Sequence, residues 1–159
     1  MVEGRFRDPG TGLYELAAQD IGVVCPRCGS RAVVTPRRVD GSPVSSWSRR
    51  FGCTACGSSA SWAPADGASL WGGPVDPFFR LPLWLTAQCC GGRTLWAFND
   101  THLTLLEDYV AARLRERATD RPGLTLVARL PAWLTAAKHR DEVLRVIARL
   151  RRSQAGPGR

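Results

Sequence analysis

Hydrophobic and polar residues alternate in short runs through the first half of the chain and recur at helical spacing in the second. Four runs of β character, at 21–24, 31–37, 46–51 and 59–63, are punctuated by Gly and Pro. Between the second and third, Val39-Asp40-Gly41-Ser42-Pro43 carries the Asp-Gly and Pro signals of a hairpin turn, so the pattern predicts a small antiparallel sheet. A second hairpin is predicted around Cys89-Cys90-Gly91-Gly92. Leu81, Leu83 and Leu85 alternate with Trp84 and Thr86 on one side of it, and Thr94, Trp96 and Phe98 with Leu95 and Ala97 on the other.

Beyond Asn99 the period changes. Leu103, Leu106, Val110 and Leu114 recur at spacings of three and four, which predicts a helix over about 101–118, capped by Asn99, Asp100 or Thr101 and stopped by Arg121-Pro122-Gly123. A short helical piece is expected near 124–130, and Pro131 can start a turn running to Ala137. The last helix, 141–152, places Val143, Val146, Ile147 and Leu150 on one face. Its acidic first turn (Asp141, Glu142) and basic last turn match the helix dipole. Leu13-Tyr14-Glu15-Leu16-Ala17-Ala18 reads equally as a helical turn or a strand.

These elements describe an α+β chain in two modules. A ribbon-like sheet at 21–64 is followed by a linker at 65–77 and by a β-hairpin with helices at 78–152. Residues 1–20 are expected as a loose lead-in and 153–159 as a flexible tail. The length of 159 residues, with 44% hydrophobic and 23% charged positions, suits a folded chain and excludes wholesale disorder. No apolar run approaches the ~20 residues that span a bilayer, and the N-terminus lacks a signal peptide's apolar core. A cytoplasmic protein without a membrane partner is therefore expected.

Six cysteines without an export signal point to metal rather than disulfides, because four of them fall in two Cys-x-x-Cys pairs. In Cys25-Pro26-Arg27-Cys28-Gly29 and Cys53-Thr54-Ala55-Cys56-Gly57, two intervening residues let one tight turn aim both thiolates at a single ion. Glycine after each pair can take φ > 0 and lets backbone N–H groups approach the sulfurs. The 24 residues from Gly29 to Gly52 exceed the common spacing, but the predicted hairpin folds them back. The expected centre is one structural zinc on Cys25, Cys28, Cys53 and Cys56. Thioredoxin-like redox chemistry would need a βαβ surround that the pattern lacks. A sheet this small buries little apolar surface alone, so zinc is expected to be required for it to fold.

Other candidates are weaker. Cys89 and Cys90 with His102 and His139 could form a second metal site, against the alternative of packed, reduced thiols and of rings that cap or pack at helix starts. No catalytic triad, glycine-rich phosphate loop or paired-carboxylate signature is legible, so neither catalysis nor a small-molecule substrate is expected.

The net charge of +8 comes from 22 basic and 14 acidic residues, concentrated at 21–64 and 111–159. A zinc tetrathiolate carries two net negative charges, so the basic character survives metallation. Of the basic residues 21 are Arg, which suits phosphate contacts but also follows from GC-rich codon usage. Trp47 and Trp62 interleaved with Arg49 and Arg50, near Arg37 and Arg38, could stack bases while arginines hold phosphates; the alternative is that both tryptophans fill the core of a small sheet. Arg113 with Arg117, and Arg145 with Arg149 and Arg152, form rows that could track phosphates or simply solvate a helix face.

The paired Cys-x-x-Cys-Gly knuckles resemble the zinc ribbons of transcription factor B type. With Leu83-Trp84-Leu85, Leu95-Trp96-Ala97-Phe98-Asn99, Leu130-Pro131-Ala132-Trp133 and Arg140-Asp141-Glu142-Val143-Leu144, residues 20–152 are similar to small bacterial zinc-ribbon-containing proteins. The resemblance implies a bacterial zinc protein in two modules and supplies no activity. The expected partners are DNA or RNA, or a protein of the transcription or replication machinery; the alternative is an adaptor that binds protein without nucleic acid.

Overall fold

A computed structural model describes residues 4–116 and 125–155. The elements are β1 (Arg5–Arg7), α1 (Leu13–Leu16), β2 (Ile21–Val24), β3 (Arg31–Pro36), β4 (Arg49–Gly52), β5 (Ser59–Trp62), β6 (Leu85–Cys89), β7 (Arg93–Ala97), α2 (Asp100–Ala111), β8 (Leu114–Glu116), α3 (Ala132–Thr135) and α4 (Arg140–Ala155). The architecture is α+β. β2 to β5 form a four-stranded antiparallel sheet in sequential order, β6 and β7 form a hairpin, and β1 pairs with β8 in parallel.

The alternating pattern explains the four-stranded sheet. Ile21, Val23, Ala32, Val34, Phe51 and Trp62 point inward and are buried, while Thr35, Arg50 and Ser61 stand exposed. The strand expected over 46–51 starts later, because a 3₁₀ turn at Val44–Ser46 returns the chain before Arg49.

β2 also pairs on its other side, with residues from far along the chain. Its Val24 N–H donates to Pro82 O at 2.9 Å, and Val23 bridges Leu83 in antiparallel fashion. Gly22 donates to Phe98 O and accepts from Trp84 N–H, both at 3.0 Å. Leu83 and Trp84, expected in the second hairpin, thus serve this edge, and β6 begins at Leu85. One hydrophobic cluster accordingly runs from Ile21, Val34 and Phe51 through Leu83, Leu85 and Phe98 to Leu103, Val143 and Ile147.

Asn99 caps α2. Its Oδ1 accepts the His102 N–H at 3.0 Å, while its Nδ2 donates to Leu16 O and Asp20 O, tying the helix start to α1. α2 crosses α4, where Arg151 reaches Asp100 at 2.7 Å and Glu107 at 3.3 Å. The predicted helix over 101–118 stops at Ala111. Ala112 turns extended (ψ 137°), and Leu114–Glu116 pair with Arg5–Arg7 instead. Residues 117–118 and the Arg121-Pro122-Gly123 stop lie outside the described residues. The expected loose lead-in is likewise corrected: Phe6 is buried edge-on against Tyr109, and Asp8 is buried, accepting from the Thr125 hydroxyl and Gly10 N–H. α4 extends to Ala155, past the expected start of the tail at 153. No helix among the described residues is long and apolar enough to cross a membrane.

The expected linker stretch includes a buried carboxylate. Asp76 Oδ1 accepts N–H groups of Phe78 and Phe79, and Oδ2 accepts that of Leu81, all within 2.9 Å. Burial pushes its pKa up against these donors. Asp76→Ala would orphan three N–H groups and is expected to cost roughly 3–5 kcal/mol in a denaturant titration; a loss below ~1 kcal/mol would show the loop supports itself.

Candidate metal centre

The two knuckles share one backbone design. In each, the N–H of the following glycine donates to the first cysteine's carbonyl: Gly29 to Cys25 at 2.9 Å and Gly57 to Cys53 at 2.8 Å. The first cysteine's own N–H donates to the serine beyond, Cys25 to Ser30 and Cys53 to Ser58, both at 2.9 Å. Gly29 and Gly57 sit at φ +76° and +77°, where any side chain would be strained. The repeat is therefore Cys-x-x-Cys-Gly-Ser, one residue longer than the motif read from the cysteines.

The β3–β4 pairing, with Val33 opposite Gly52, brings the knuckles together. Cys25 Sγ lies 3.7 Å from Cys56 Sγ, and Cys28 Sγ lies 3.6 Å from Cys53 Sγ. All four sulfurs fall within 4.8 Å of one another. A tetrahedron with Zn–S bonds of ~2.3 Å has edges of ~3.8 Å, so the spacing suits such an ion. The four cysteines could hold one metal, and zinc fits the all-sulfur donor set.

The local electrostatics agree with that fit. The hydroxyl and N–H of Ser30 hold the Cys28 thiol down to about 6. Burial raises Cys25, but the N–H groups of Cys28 and Arg27 outweigh it and bring it below its ordinary value. Ser58 N–H favours a thiolate at Cys56, yet burial and the three neighbouring sulfurs push it up to about 11. Four crowded thiolates resist ionising together without a cation, and a dication removes that conflict.

The arginines and tryptophan expected at a nucleic-acid face divide in two. Arg37, Arg38 and Arg50 are exposed. Trp47 and Arg49 are not: Trp47 is 7% exposed, with its Nε1 donating to Val39 O and Ser42 O, and Arg49 is 2% exposed. The Arg49 guanidinium lies 4.1 Å from the Phe78 ring centroid, donates to Ala17 O and to Val44 O, and leaves its Nε without a partner. Burial lowers its pKa to about 10, still charged at neutral pH. It is an internal clamp between α1, the 3₁₀ turn and β4. Trp62, at 7% exposure, packs 4.8 Å from Phe78 and is also core. Of the expected row on helix α2, Arg113 lies past the helix end at Ala111, and Arg117 lies outside the described residues. Arg145, Arg149 and Arg152 are exposed on α4.

Cys89 and Cys90 do come together with a third ligand type, but it is Glu142 rather than a histidine. Glu142 accepts the Cys90 N–H at 2.9 Å and holds the hairpin turn, where Cys90 takes φ +56°. Burial, then the neighbouring Cys90 thiol, pushes Cys89 up to about 12, which disfavours the thiolate a metal needs. His102 is not among the cluster's ligands, and its Nδ1 accepts the Phe98 N–H at 3.0 Å. An acidic residue in the first turn of α4 carries no sequence mark of the contact with Cys90.

No protein-family model, curated protein or solved structure matches this chain. The likeness to zinc-ribbon proteins therefore rests on the cysteine cluster.

Protein prepared with zinc is expected to carry one ion per chain by metal analysis, and Cys28→Ser or Cys56→Ser to abolish stoichiometric binding. Zinc should leave as pH falls, since protons compete for the thiolates. Complete chelation should cost on the order of 5 kcal/mol; an unchanged melting temperature in strong chelator would refute a structural metal. Separately, Arg49→Ala is expected to destabilise by roughly 3 kcal/mol and Arg50→Ala by under ~0.5 kcal/mol; equal effects in urea would contradict the clamp.

Proposed function

We propose that this chain is a non-catalytic zinc-binding protein of zinc-ribbon type, whose metal centre fixes a β-sheet that offers Arg37, Arg38 and Arg50 to nucleic acid. The observation that carries the metal half is the cross-knuckle sulfur spacing of 3.6–3.7 Å. Four protein sulfurs complete a tetrahedron, leaving no position for water or substrate, so the ion holds structure and does not react.

The nucleic-acid half is supported by the outer sheet face. Thr35, Arg50 and Ser61 stand in register across β3, β4 and β5 and are all exposed, with Arg37 and Arg38 next along the chain. Arg38 is paired with Asp40 at 3.1 Å, but both side chains lie in solvent, where such a pair is easily exchanged for a phosphate. With Trp47 in the core, the face has arginines and hydroxyls but no stacking ring from that position. The contact would thus follow phosphates with little base preference.

The test is a titration of zinc-loaded protein against fluorescent single-stranded DNA, duplex DNA and RNA at several salt concentrations. Binding should weaken by about one log unit of affinity per log unit of salt for each phosphate contacted. The triple variant Arg37→Glu, Arg38→Glu, Arg50→Glu, which avoids the buried Arg49, should lose at least about tenfold in affinity. Binding seen only at low salt, or untouched by the triple change, would overturn the nucleic-acid half and favour a protein partner that survives nuclease treatment in a pull-down.

A further inference from the structure

α1, the segment around Trp71, β7, the start of α2 and residues 125–134 line a cavity of about 510 Å³ to which no cysteine contributes. That volume lies within the ~300–1,000 Å³ of small-molecule sites. Its walls are mainly apolar and include three of the six tryptophans, Trp71, Trp96 and Trp133. The charged lining residues, Glu15 and Arg129, are exposed and of opposite sign, so the rim favours neither an anion nor a cation.

Two of the indoles, Trp71 and Trp96, are held by contacts of their own. Trp71 donates from Nε1 to Ser69 Oγ at 2.9 Å and meets Tyr14 edge-on at 4.5 Å and Phe78 at 5.6 Å. Trp96 packs 5.8 Å from Phe98 and 5.5 Å, edge-on, from His102. Preset aromatic walls spare a ligand the entropy of ordering them.

His102 gives the cavity a directional polar group. It is 1% exposed and lines the cavity. Its Nδ1 accepts the Phe98 N–H, so the ring must be neutral with its proton on Nε2. Burial lowers its pKa to about 3, which keeps it neutral throughout the physiological range. Its Nδ1 edge is turned to the backbone of Phe98, and no acceptor among the described residues takes the Nε2–H. The Nε2–H is reached from the cavity and is not among the fully buried unpartnered polar atoms, so it stands available to an acceptor that enters.

We propose that this cavity binds a neutral, planar aromatic small molecule whose hydrogen-bond acceptor takes the Nε2–H of His102, with its ring system against Trp71, Trp96 and Trp133. Neutrality follows from the apolar walls, which would strip the hydration of an ion without repaying it. The site is separate from the cysteine cluster and independent of nucleic-acid binding. It assigns the chain a ligand class that its sequence gave no reason to expect.

The test uses the full zinc-loaded chain and two probes of equal shape, quinoline, which offers a ring-nitrogen acceptor, and naphthalene, which does not. Dissociation constants would be measured by ¹H–¹⁵N chemical-shift titration, together with the imidazole ¹⁵N resonances of His102. Quinoline should bind about tenfold more tightly than naphthalene and should move the Nε2 signal of His102. Thr94→Trp, at the half-buried lip of the cavity on β7, should abolish binding of both probes while the rest of the spectrum keeps its dispersion. His102→Phe should equalise the two probes; should that variant unfold because Phe98 N–H loses its acceptor, Thr94→Trp and the Nε2 signal still decide. No shifts at lining residues, equal affinities in the wild type, a stationary Nε2 signal, or unchanged binding to the Thr94→Trp variant would each overturn the proposal.

Discussion

The backbone of β2 is hydrogen-bonded on both of its sides, and that double pairing joins everything else. Toward β3 it builds the sheet that brings the cysteines together. On its other side, Gly22 and Val24 bond to Phe98, Trp84 and Pro82, which carries the same hydrogen-bond network into the second half of the chain. A buried strand that left these N–H and C=O groups unmatched would lose the energy gained by burying Ile21 and Val23. The hydrophobic cluster that spans both halves follows from this pairing.

What was legible in the sequence was local. Cysteines three residues apart define a knuckle whatever surrounds them, and Leu103, Leu106 and Val110 define a helix face by their spacing alone. The end of that helix was not legible, because Leu114 continues the period while the competing partner, β1, lies more than a hundred residues earlier. Alternation likewise marked the strands, but Arg49, for its charge, read as a surface residue although it stands in phase with the inward-facing Trp47 and Phe51. Its burial depends on Ala17 and Val44 offering carbonyls, and on Phe78 offering a ring face, from three separate segments. The cavity was invisible for the same reason: its walls come from five separate parts of the chain, and the tryptophans that line it look like ordinary core.

Buried charge and buried polarity are handled in different ways across the molecule. Asp76 is met by three N–H donors in its own loop, Asp8 by a hydroxyl and an N–H, and Arg49 by two carbonyls and an aromatic face. These fixed polar contacts act where apolar packing alone would leave loops unspecified. The matching is incomplete at the Nε of Arg49, and at His102, whose Nδ1 is matched while its Nε2 faces the cavity.

The 24 residues between the knuckles also couple the cysteine cluster to the pairing of the sheet. Either knuckle alone offers an ion two sulfurs, and the full tetrahedron exists only once Val33 has met Gly52 across the β3–β4 pair. Closing that loop costs chain entropy, which an ion held by all four sulfurs would help repay. Apparent metal affinity and hairpin stability are consequently one quantity read in two ways. Gly41, at φ +81° in the distant turn, belongs to the metal site thermodynamically while touching none of its ligands.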